Sequence, residues 1–327
     1  MSTSAAGGGP AGPVGAEPVV RARGVVKTFG DFRAVDGIDV EVRPGEVFGF
    51  LGPNGAGKSS TMRMIACVSP VSAGELRVLG GDPDRDGPRI RARLGVVPQE
   101  DALDTELTVG ENLLVYGRYF DLPRSVIAER TGELLDFVQL TDRRGSLVDA
   151  LSGGMKRRLT IARALINEPE MVLLDEPTTG LDPQARHVIW ERLWSLKQRG
   201  VTQILTTHYM DEAEQLCDRL VVMDHGRIVA EGAPRQLIDE WSTPEVVELR
   251  WNDPDVDLEV REKAVCGPLG DDVRSEVLAD RILVYAADGD SVVSHLSDHD
   301  VRADSVLVRR STLEDVFLRL TGRTLVD

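Results

Sequence analysis

The stretch "EVFGFLGPNGAGKSS", residues 46–60, constrains the fold of this chain more than any other. It begins with a short apolar run that predicts a buried β-strand, and residues 52–59 then fit the pattern GxxxxGK[ST] without a mismatch. Glycines in this pattern let consecutive backbone N–H groups converge on phosphates, while the lysine bridges the β- and γ-phosphates and the hydroxyl binds Mg²⁺. Since "KSSTMRMIACV" predicts a helix, its positive N-terminal end adds to the site. The sequence therefore predicts an α/β nucleotide fold, with Lys58 and Ser59 at the phosphates.

A second apolar strand, "EMVLLDEP" at residues 170–177, supplies the acids that this loop lacks. Asp175 ends the strand and would lie near the metal, as a carboxylate does in nucleotide-hydrolysing folds. Glu176 follows on the other side of the strand, where it can polarise an attacking water. Two acids capping a turn would be the alternative, but the phosphate loop favours catalysis.

Two more polar residues end predicted strands. Gln99 does so in "VVPQE" and His208 in "LTTHY". Taken alone, each is equally well a core or a surface residue. Open α/β sheets place their ligand groups at the carboxyl ends of strands, so both are candidates for the same site.

A second glycine-rich anion site is indicated by "LSGGMKRRL", residues 151–159. Ser152 predicts a helix N-cap, and the two glycines leave the first backbone N–H groups accessible to an anion. Capping and phosphate binding use the same donors, so the two interpretations are compatible. We expect Arg157 and Arg158 to pair with acids or to lie on a solvated face rather than to touch a nucleotide.

The chain divides by composition into three parts. Residues 1–18 are rich in Gly, Ala, Pro and Ser and predict a disordered leader. Residues 19–240 alternate strand and helix patterns, with helical periodicity from about Glu111 to Asp142. Residues 241–327 contain 19 acidic and 10 basic residues, with strand patterns such as "RILVYAA" and a helical "TLEDVFLRLTG". We predict a small α/β domain there.

Charge and hydropathy exclude two classes of protein. The formal net charge of −16 argues against sequence-independent nucleic-acid binding, which needs a surplus of Lys and Arg. No apolar run approaches the roughly 18 residues that span a bilayer. A transport function would therefore require a separate membrane subunit.

Together these motifs resemble the ATP-binding cassette family. The ordered elements are an aromatic position (Phe29), Walker A (Gly52 to Ser59), a Q-loop glutamine (Gln99), the signature "LSGGM", "LLDEP", a D-loop "GLDP" (Gly180 to Pro183) and the switch His208. The resemblance runs from about Val19 to about Gly232. It implies an α/β P-loop cassette with a mixed sheet core and a helical subdomain at about 100–165, followed by the small C-terminal α/β domain.

The resemblance also implies a role for each motif. Glu176, His208, Gln99 and Lys58 would be catalytic, and Ser59, Gln99 and Asp175 would hold Mg²⁺. The residues that would bind ATP are Phe29, Gly52, Pro53, Asn54, Gly55, Ala56, Gly57, Lys58, Ser59, Ser60, Ser152, Gly153, Gly154 and Asp182. Met155 stands where the family usually has Gln, and Phe29 where it usually has Tyr; stacking on adenine survives the second change, but the hydroxyl is lost.

Cassettes of this family close as head-to-tail dimers around two ATPs, which explains the second glycine-rich site. Ser152, Gly153 and Gly154 of one subunit would face the γ-phosphate that Walker A of the other subunit holds. Asp182 would serve the dimer contact. Neither half-site surrounds the γ-phosphate alone, so ATP would hold the homodimer together until it is hydrolysed.

Longer stretches are similar to ATPases of ABC-2-type exporters, which include drug exporters and nodulation lipo-oligosaccharide exporters. The resemblance implies an ABC-2-type integral membrane permease as partner and a peripheral location on the cytoplasmic face of the cell membrane. We expect the permease to dock near Gln99 and the stretch 111–142. The main alternative is an importer ATPase with a regulatory tail, and a second is a non-transport cassette ATPase. The C-terminal domain is a dimerisation element, an inhibitory clamp or a stabiliser; we favour stabilisation of the homodimer.

Overall fold

The computed structural model describes residues 17–252, 257–267, 274–299 and 301–322. The leader predicted at residues 1–18 therefore lies almost wholly outside the described residues. The chain forms two compact units, of which the N-terminal unit ends at Glu231 and the C-terminal unit begins at Gly232. Each is described by itself below.

The N-terminal unit alternates strands and helices. Its strands are β1 (Val20–Phe29), β2 (Phe32–Val42), β3 (Val47–Leu51), β4 (Ala73–Val78), β5 (Leu94–Val97), β6 (Met171–Asp175), β7 (Thr202–Thr207), β8 (Arg219–Asp224) and β9 (Arg227–Gly232). Its α-helices are α1 (Lys58–Ile65), α2 (Pro83–Arg91), α3 (Val109–Tyr119), α4 (Arg124–Phe137), α5 (Gly153–Ala164), α6 (Pro183–Gln198) and α7 (Met210–Leu216).

Two sheets and the helices α1 and α2 enclose the main core. The larger sheet has the order β5-β6-β7-β3-β8-β9, in which β3, β5, β6, β7 and β8 run parallel. The smaller is antiparallel, in the order β2-β1-β4. Phe50 of β3, Met64 of α1 and Val40 of β2 belong to one buried cluster. The carboxyl ends of β3, β6 and β7 consequently meet at one edge, where the predicted site residues follow them.

The helices α3, α4 and α5 share a smaller core of their own. Leu113 of α3, Leu135 of α4 and Leu159 of α5 are buried in it, together with Val148. Thr108 and Glu111 cap α3 reciprocally, which fixes where this helix begins. The predicted fold class, an α/β cassette with a sheet core and a helical region, is confirmed.

The C-terminal unit is a second α/β structure. Its elements are α8 (Pro234–Trp241), β10 (Glu245–Arg250), α9 (Leu258–Cys266), β11 (Arg274–Val277), β12 (Ile282–Ala286), α10 (Gly289–Asp298), β13 (Ser305–Arg310) and α11 (Leu313–Thr321). The sheet order is β11-β12-β10-β13, and every pairing is antiparallel. Between β10 and β13 the chain therefore has the β-α-β-β-α-β connectivity of ferredoxin-like folds.

The two faces of this sheet differ in chemistry. On one face Val247, Val284 and Leu296 form an apolar cluster with α9 and α10. On the other face α11 packs Leu318 against Leu283, beside a network of charged side chains. α8 contacts α11 and so belongs to this unit, which places the boundary between the units at residues 231–232.

Candidate functional site

The phosphate loop connects β3 to α1, as the sequence predicts, and its backbone tolerates little change. A Cβ added to Gly52 would meet the carbonyl oxygen of Met223 at 2.2 Å. Gly57 has a φ of +102° and would bring a Cβ within 2.4 Å of the carbonyl oxygen of Ala34. Lys58 is buried, and its Nζ donates to the carbonyls of Gly52 (2.7 Å) and Pro53 (3.0 Å). The loop thus holds a cation over the N-terminal end of α1, which favours an anion there.

Asp175 lies directly beside this loop. Ser59 Oγ donates to Asp175 Oδ1 at 3.1 Å, and Thr206 Oγ1 donates to the same oxygen at 2.5 Å. The contact joins the start of α1 to the end of β6 across the central strands. A hydroxyl and a carboxylate are hard oxygen donors of the kind that Mg²⁺ prefers, so the chemistry of this pair fits a magnesium ion.

Glu176 is the centre of the site. It is buried, at 6% exposure, and its backbone adopts the left-handed conformation with φ +47°. Its N–H donates to the carbonyl (3.1 Å) and the hydroxyl (3.0 Å) of Thr206, which anchors the turn after β6. The two adjacent acids have different neighbours: the hydroxyls of Ser59 and Thr206 bond the Asp175 carboxylate, whereas Gln99 donates to the Glu176 carboxylate.

Three predicted residues surround the Glu176 carboxylate. Lys58 Nζ is 3.8 Å and His208 Nδ1 is 3.3 Å from Glu176 Oε1, and Gln99 Nε2 donates to Oε2 at 3.3 Å. Thr179 Oγ1 also donates to Oε2, at 3.1 Å. At its 3.3 Å separation, His208 Nδ1 lacks the alignment of a hydrogen bond. Lys58, Gln99 and His208 therefore surround Glu176, the fourth side chain predicted as catalytic, in contacts of 3.3 to 3.8 Å.

The signature segment, residues 151–155, borders a groove that is separate from the phosphate loop. Ser152 caps α5 and accepts a hydrogen bond from Met155 N at 3.4 Å, while Asp182 caps α6 and accepts one from Ala185 N at 2.9 Å. Both helix starts open into one groove of about 540 Å³, whose lining includes Gly153 and Gly154. Neither the phosphate loop nor Glu176 contributes to the described lining of that groove.

Phe29 ends β1 with its ring 52% exposed. Lys27 Nζ lies over one face of the ring, 5.0 Å from its centroid, and the exposure of the residue leaves the rest of the ring accessible. Such a ring can stack on a purine.

For Arg157 we expected from the sequence either an ion pair with an acid or a position on a solvated face, and only the ion pair is found. It pairs with an acid, Asp101, at 3.3 Å, as we expected, but it is buried rather than solvated. Its guanidinium donates to the backbone carbonyls of Pro98, Gln99, Asp175, Glu176 and Pro177. Helical periodicity could have revealed this, because Arg157 lies three and four residues before the buried Thr160 and Ile161 on the same helix face.

Sequence reasoning also missed Glu212. It is fully buried on α7, where its Oε1 accepts hydrogen bonds from Thr178 Oγ1 (2.8 Å) and Trp190 Nε1 (3.2 Å). Burial raises the pKa of this carboxyl group above its ordinary value. Glu212 thereby connects the segment after Glu176 to the helix that follows His208.

The fold and the site define the ATP-hydrolysing subunit class of ABC transporters. Residues 35–179 match the ABC transporter family, and residues 265–322 match the C-terminal domain of the nodulation factor export protein NodI. Among solved structures, cbiO1 from Clostridium perfringens, part of the ABC transporter complex cbiONQ, is 28% identical with a TM-score of 0.64 over 69% of this chain and 92% of its own. An ATP-binding cassette solved as a dimer with ADP and Pi is 27% identical, with a TM-score of 0.60, over 65% of this chain and 98% of its own.

Curated relatives narrow this class. The Nod factor export ATP-binding protein I of Ralstonia nicotianae is 46% identical over 97% of this chain and 98% of its own length. That of Rhizobium etli is 50% identical over 91% of this chain and 92% of its own. The chain belongs to this family of ABC transporter ATPases, and it is an ATP-binding ATPase. In the part of the chain that the structure describes, no helix combines the length and the apolar character that crossing a bilayer requires.

Proposed function

We propose that this chain powers the export of a lipo-oligosaccharide through a separate ABC-2-type permease, and that it works as a homodimer at the cytoplasmic face of the membrane. The observation that carries the proposal is the clustering of Lys58, Gln99 and His208 around the buried Glu176, in a chain whose relatives are named for Nod factor export. Those names favour export over the importer alternative.

The proposed chemistry follows from the contacts around Glu176. Ser59, Asp175 and Gln99 would hold Mg²⁺, which neutralises charge on the phosphates. Lys58 binds the β- and γ-phosphates, and Glu176 polarises the attacking water. Gln99 and His208 lie close enough to the Glu176 carboxylate to report whether a γ-phosphate is present.

The second half of each site would come from the partner subunit. The groove that contains Ser152, Gly153 and Gly154 is separate from the phosphate loop of the same chain, which supports binding in trans. Two helix N-termini, of α5 and α6, open into this groove and favour an anion. Phe29 supplies the adenine platform, and the remaining loop residues contribute backbone N–H groups.

The permease would dock on a groove of about 1010 Å³ beside the Q-loop, residues 98–102. Its lining combines Gln99 with aromatic side chains at the end of α3, including Tyr116 and Tyr119. Tyr119 is 76% exposed, as expected of an aromatic side chain that a bound partner would cover. This groove adjoins the catalytic cluster through Gln99, so docking and hydrolysis share a residue.

We further propose that residues 19–240 form the cassette and residues 241–327 the accessory domain, with the second stabilising the homodimer. The compactness of the C-terminal unit supports the proposal of a separate accessory domain. In the structure this unit also contains α8, since it begins at Gly232.

Co-expression with a candidate ABC-2-type permease tests the function. We expect the two to co-purify and lipo-oligosaccharide to stimulate hydrolysis in liposomes. The charge reversal Glu100→Lys, at the rim of the docking groove, should reduce export about tenfold while basal hydrolysis stays within about twofold. Glu75→Lys, an exposed reversal on β4, is the matched control. Undiminished export by the Glu100 variant would refute docking there, and stimulation by an imported solute alone would refute export.

A further inference from the structure

Arg157 joins two catalytic segments that are far apart in the chain. Toward the Q-loop, its Nη1 donates to the carbonyls of Pro98 (2.5 Å) and Gln99 (3.3 Å). Toward the end of β6, its Nη2 donates to the carbonyls of Asp175 and Glu176 at 3.0 Å each. Its Nε donates to the carbonyl of Pro177 at 2.7 Å. One guanidinium therefore bonds the backbone on both sides of the Gln99–Glu176 contact.

This arrangement depends on the shape of arginine. A planar fork with five N–H donors can satisfy carbonyls on several sides at once, whereas a lysine ammonium is a point charge with three donors. The guanidinium is buried, and Asp101, 3.3 Å away, is the carboxylate paired with it. Without the fork, five carbonyls would lose a charged donor in a site with little access to water.

Arg157 is also part of the signature helix. It lies on α5, one turn after Gly153, so it moves with the segment that would contact the partner subunit's ATP. Two further bonds tie the same helix to the Q-loop: Thr160 Oγ1 donates to Asp101 Oδ1 at 3.1 Å, and Arg163 Nη1 donates to the carbonyl of Ala102 at 2.5 Å. A displacement of α5 must therefore displace the Q-loop or break these bonds.

The backbone conformation of Glu176 gives the bonds made by Arg157 an effect on the site. Its left-handed backbone is a strained conformation for a residue with a side chain, so its position depends on what holds the neighbouring peptide groups. Arg157 bonds the carbonyls of residues 175, 176 and 177 in succession. A small rotation of those peptide groups would redirect the Glu176 carboxylate.

We propose that Arg157 is a positioning residue that couples each subunit's signature segment to its own Glu176. The inference rests on the proposed composite site of the homodimer. Engagement of the partner's ATP at Ser152–Gly154 shifts α5, and the guanidinium carries that shift to the backbone of Gln99 and Glu176. Each subunit's hydrolytic carboxylate is thus aligned only when its signature segment is occupied, and the two sites hydrolyse ATP cooperatively.

The test is the variant Arg157→Lys, which keeps the charge and removes the fork. We expect at least a tenfold fall in kcat, a Hill coefficient for ATP that falls to about 1, and a Kd for ATP that changes less than about threefold. The matched control is Arg130→Lys. Arg130 also binds a carbonyl (Ile166, 2.9 Å) and a carboxylate (Glu168, 2.5 Å), but both lie outside the catalytic segments. It should leave kcat and the Hill coefficient unchanged.

A second variant covers the case in which Arg157→Lys does not fold. Thr160→Val removes one bond between α5 and the Q-loop at nearly constant volume, and it should lower the Hill coefficient without weakening ATP binding. A wild-type enzyme with a Hill coefficient of 1, or normal cooperativity in the Arg157 or Thr160 variant, would overturn the proposal. Glu176→Gln, measured in parallel, separates the two hypotheses: if it hydrolyses ATP normally, the proposed catalytic role of Glu176 is wrong. If it is inactive while Arg157→Lys is normal, only the coupling role fails.

Discussion

Two buried carboxylates, one in each unit, show how differently this chain uses the same chemical group. Asp315 at the start of α11 is 1% exposed and accepts two bonds from Arg309, at 2.7 and 2.9 Å, and one from the backbone of Thr312 at 2.8 Å. Glu176 is 6% exposed, yet its nearest lysine nitrogen is 3.8 Å away and its bond from Gln99 is 3.3 Å long.

The difference in contact lengths distinguishes a carboxylate that stabilises the fold, Asp315, from one that is proposed to react, Glu176. The charge of Asp315 is fully engaged with a guanidinium and a helix cap, and Arg309 also bonds Glu248 at 2.6 Å, so the network holds β10, β13 and α11 together. The long contacts of Glu176 leave its lone pairs accessible to a water molecule. A general base needs such an acceptor oxygen within reach of the attacking water.

The largest expected effect concerns Glu176. Glu176→Gln should lower turnover by about 10³-fold, because the amide cannot accept a proton from water. ATP should still bind, since Lys58 and the phosphate loop are unchanged, and the nucleotide-bound homodimer should accumulate. Phosphate release and sedimentation velocity with ATP measure both effects. Rapid turnover by this variant would exclude Glu176 as the base.

The second effect concerns Asp315 and appears in stability rather than in catalysis. Asp315→Asn removes one of the two carboxylates that pair with Arg309 and should destabilise the C-terminal unit by about 3 kcal/mol. Urea unfolding followed by tryptophan fluorescence, to which Trp241 and Trp251 of that unit contribute, gives this number. Basal hydrolysis should stay within about twofold in conditions where the unit remains folded. A large loss of hydrolysis there would show that the two carboxylates are not functionally separate.

The smallest effect concerns Glu212, a third buried acid. Because its pKa is raised above 4.5 in the fold by burial, the folded chain keeps this proton to a higher pH than the unfolded chain does. Stability is therefore lost as pH rises above 4.5, and Glu212→Gln, which carries no titrating proton, should escape this loss. We expect the variant to unfold a few degrees above wild type at pH 8, with the gap closing towards pH 4.5.

Calorimetry across that pH range would check the prediction. Glu212→Ala serves as the contrast, because it removes the acceptor of Thr178 and Trp190 and should lower the Tm at every pH. A Glu212→Gln variant that is less stable than wild type at pH 8 would show that the carboxylate is charged in the fold.

Much of the cassette was predictable because its motifs end parallel strands. Asp175 and Ser59 are 116 positions apart, but strands that lie near each other in one parallel sheet bring their carboxyl ends together, and the two side chains bond at 3.1 Å. The same rule gathers Gln99 and His208 at Glu176. Local periodicity was enough for the long helices α4 and α6, which lack internal glycine–proline pairs.

The remainder depended on information that local sequence does not carry. The partners of Arg157 are backbone carbonyls, which any residue supplies, so no side-chain pattern identifies them. The helix α2 includes Gly87 and Pro88, which together indicate a turn, and it forms because Asp82 caps it. The antiparallel pairing of β11 with β12 is likewise set by tertiary contacts in the C-terminal unit rather than by a strong strand pattern.

The left-handed backbone at Glu176 has a consequence for how such enzymes can be improved. Glycine adopts that conformation without strain, so exchanging the glutamate for glycine would relieve roughly 1 kcal/mol of backbone energy while removing the base. A directed-evolution screen that selects only for thermal stability would therefore favour inactive variants at position 176. Selection for transport activity must be applied as well, so that the glutamate is retained.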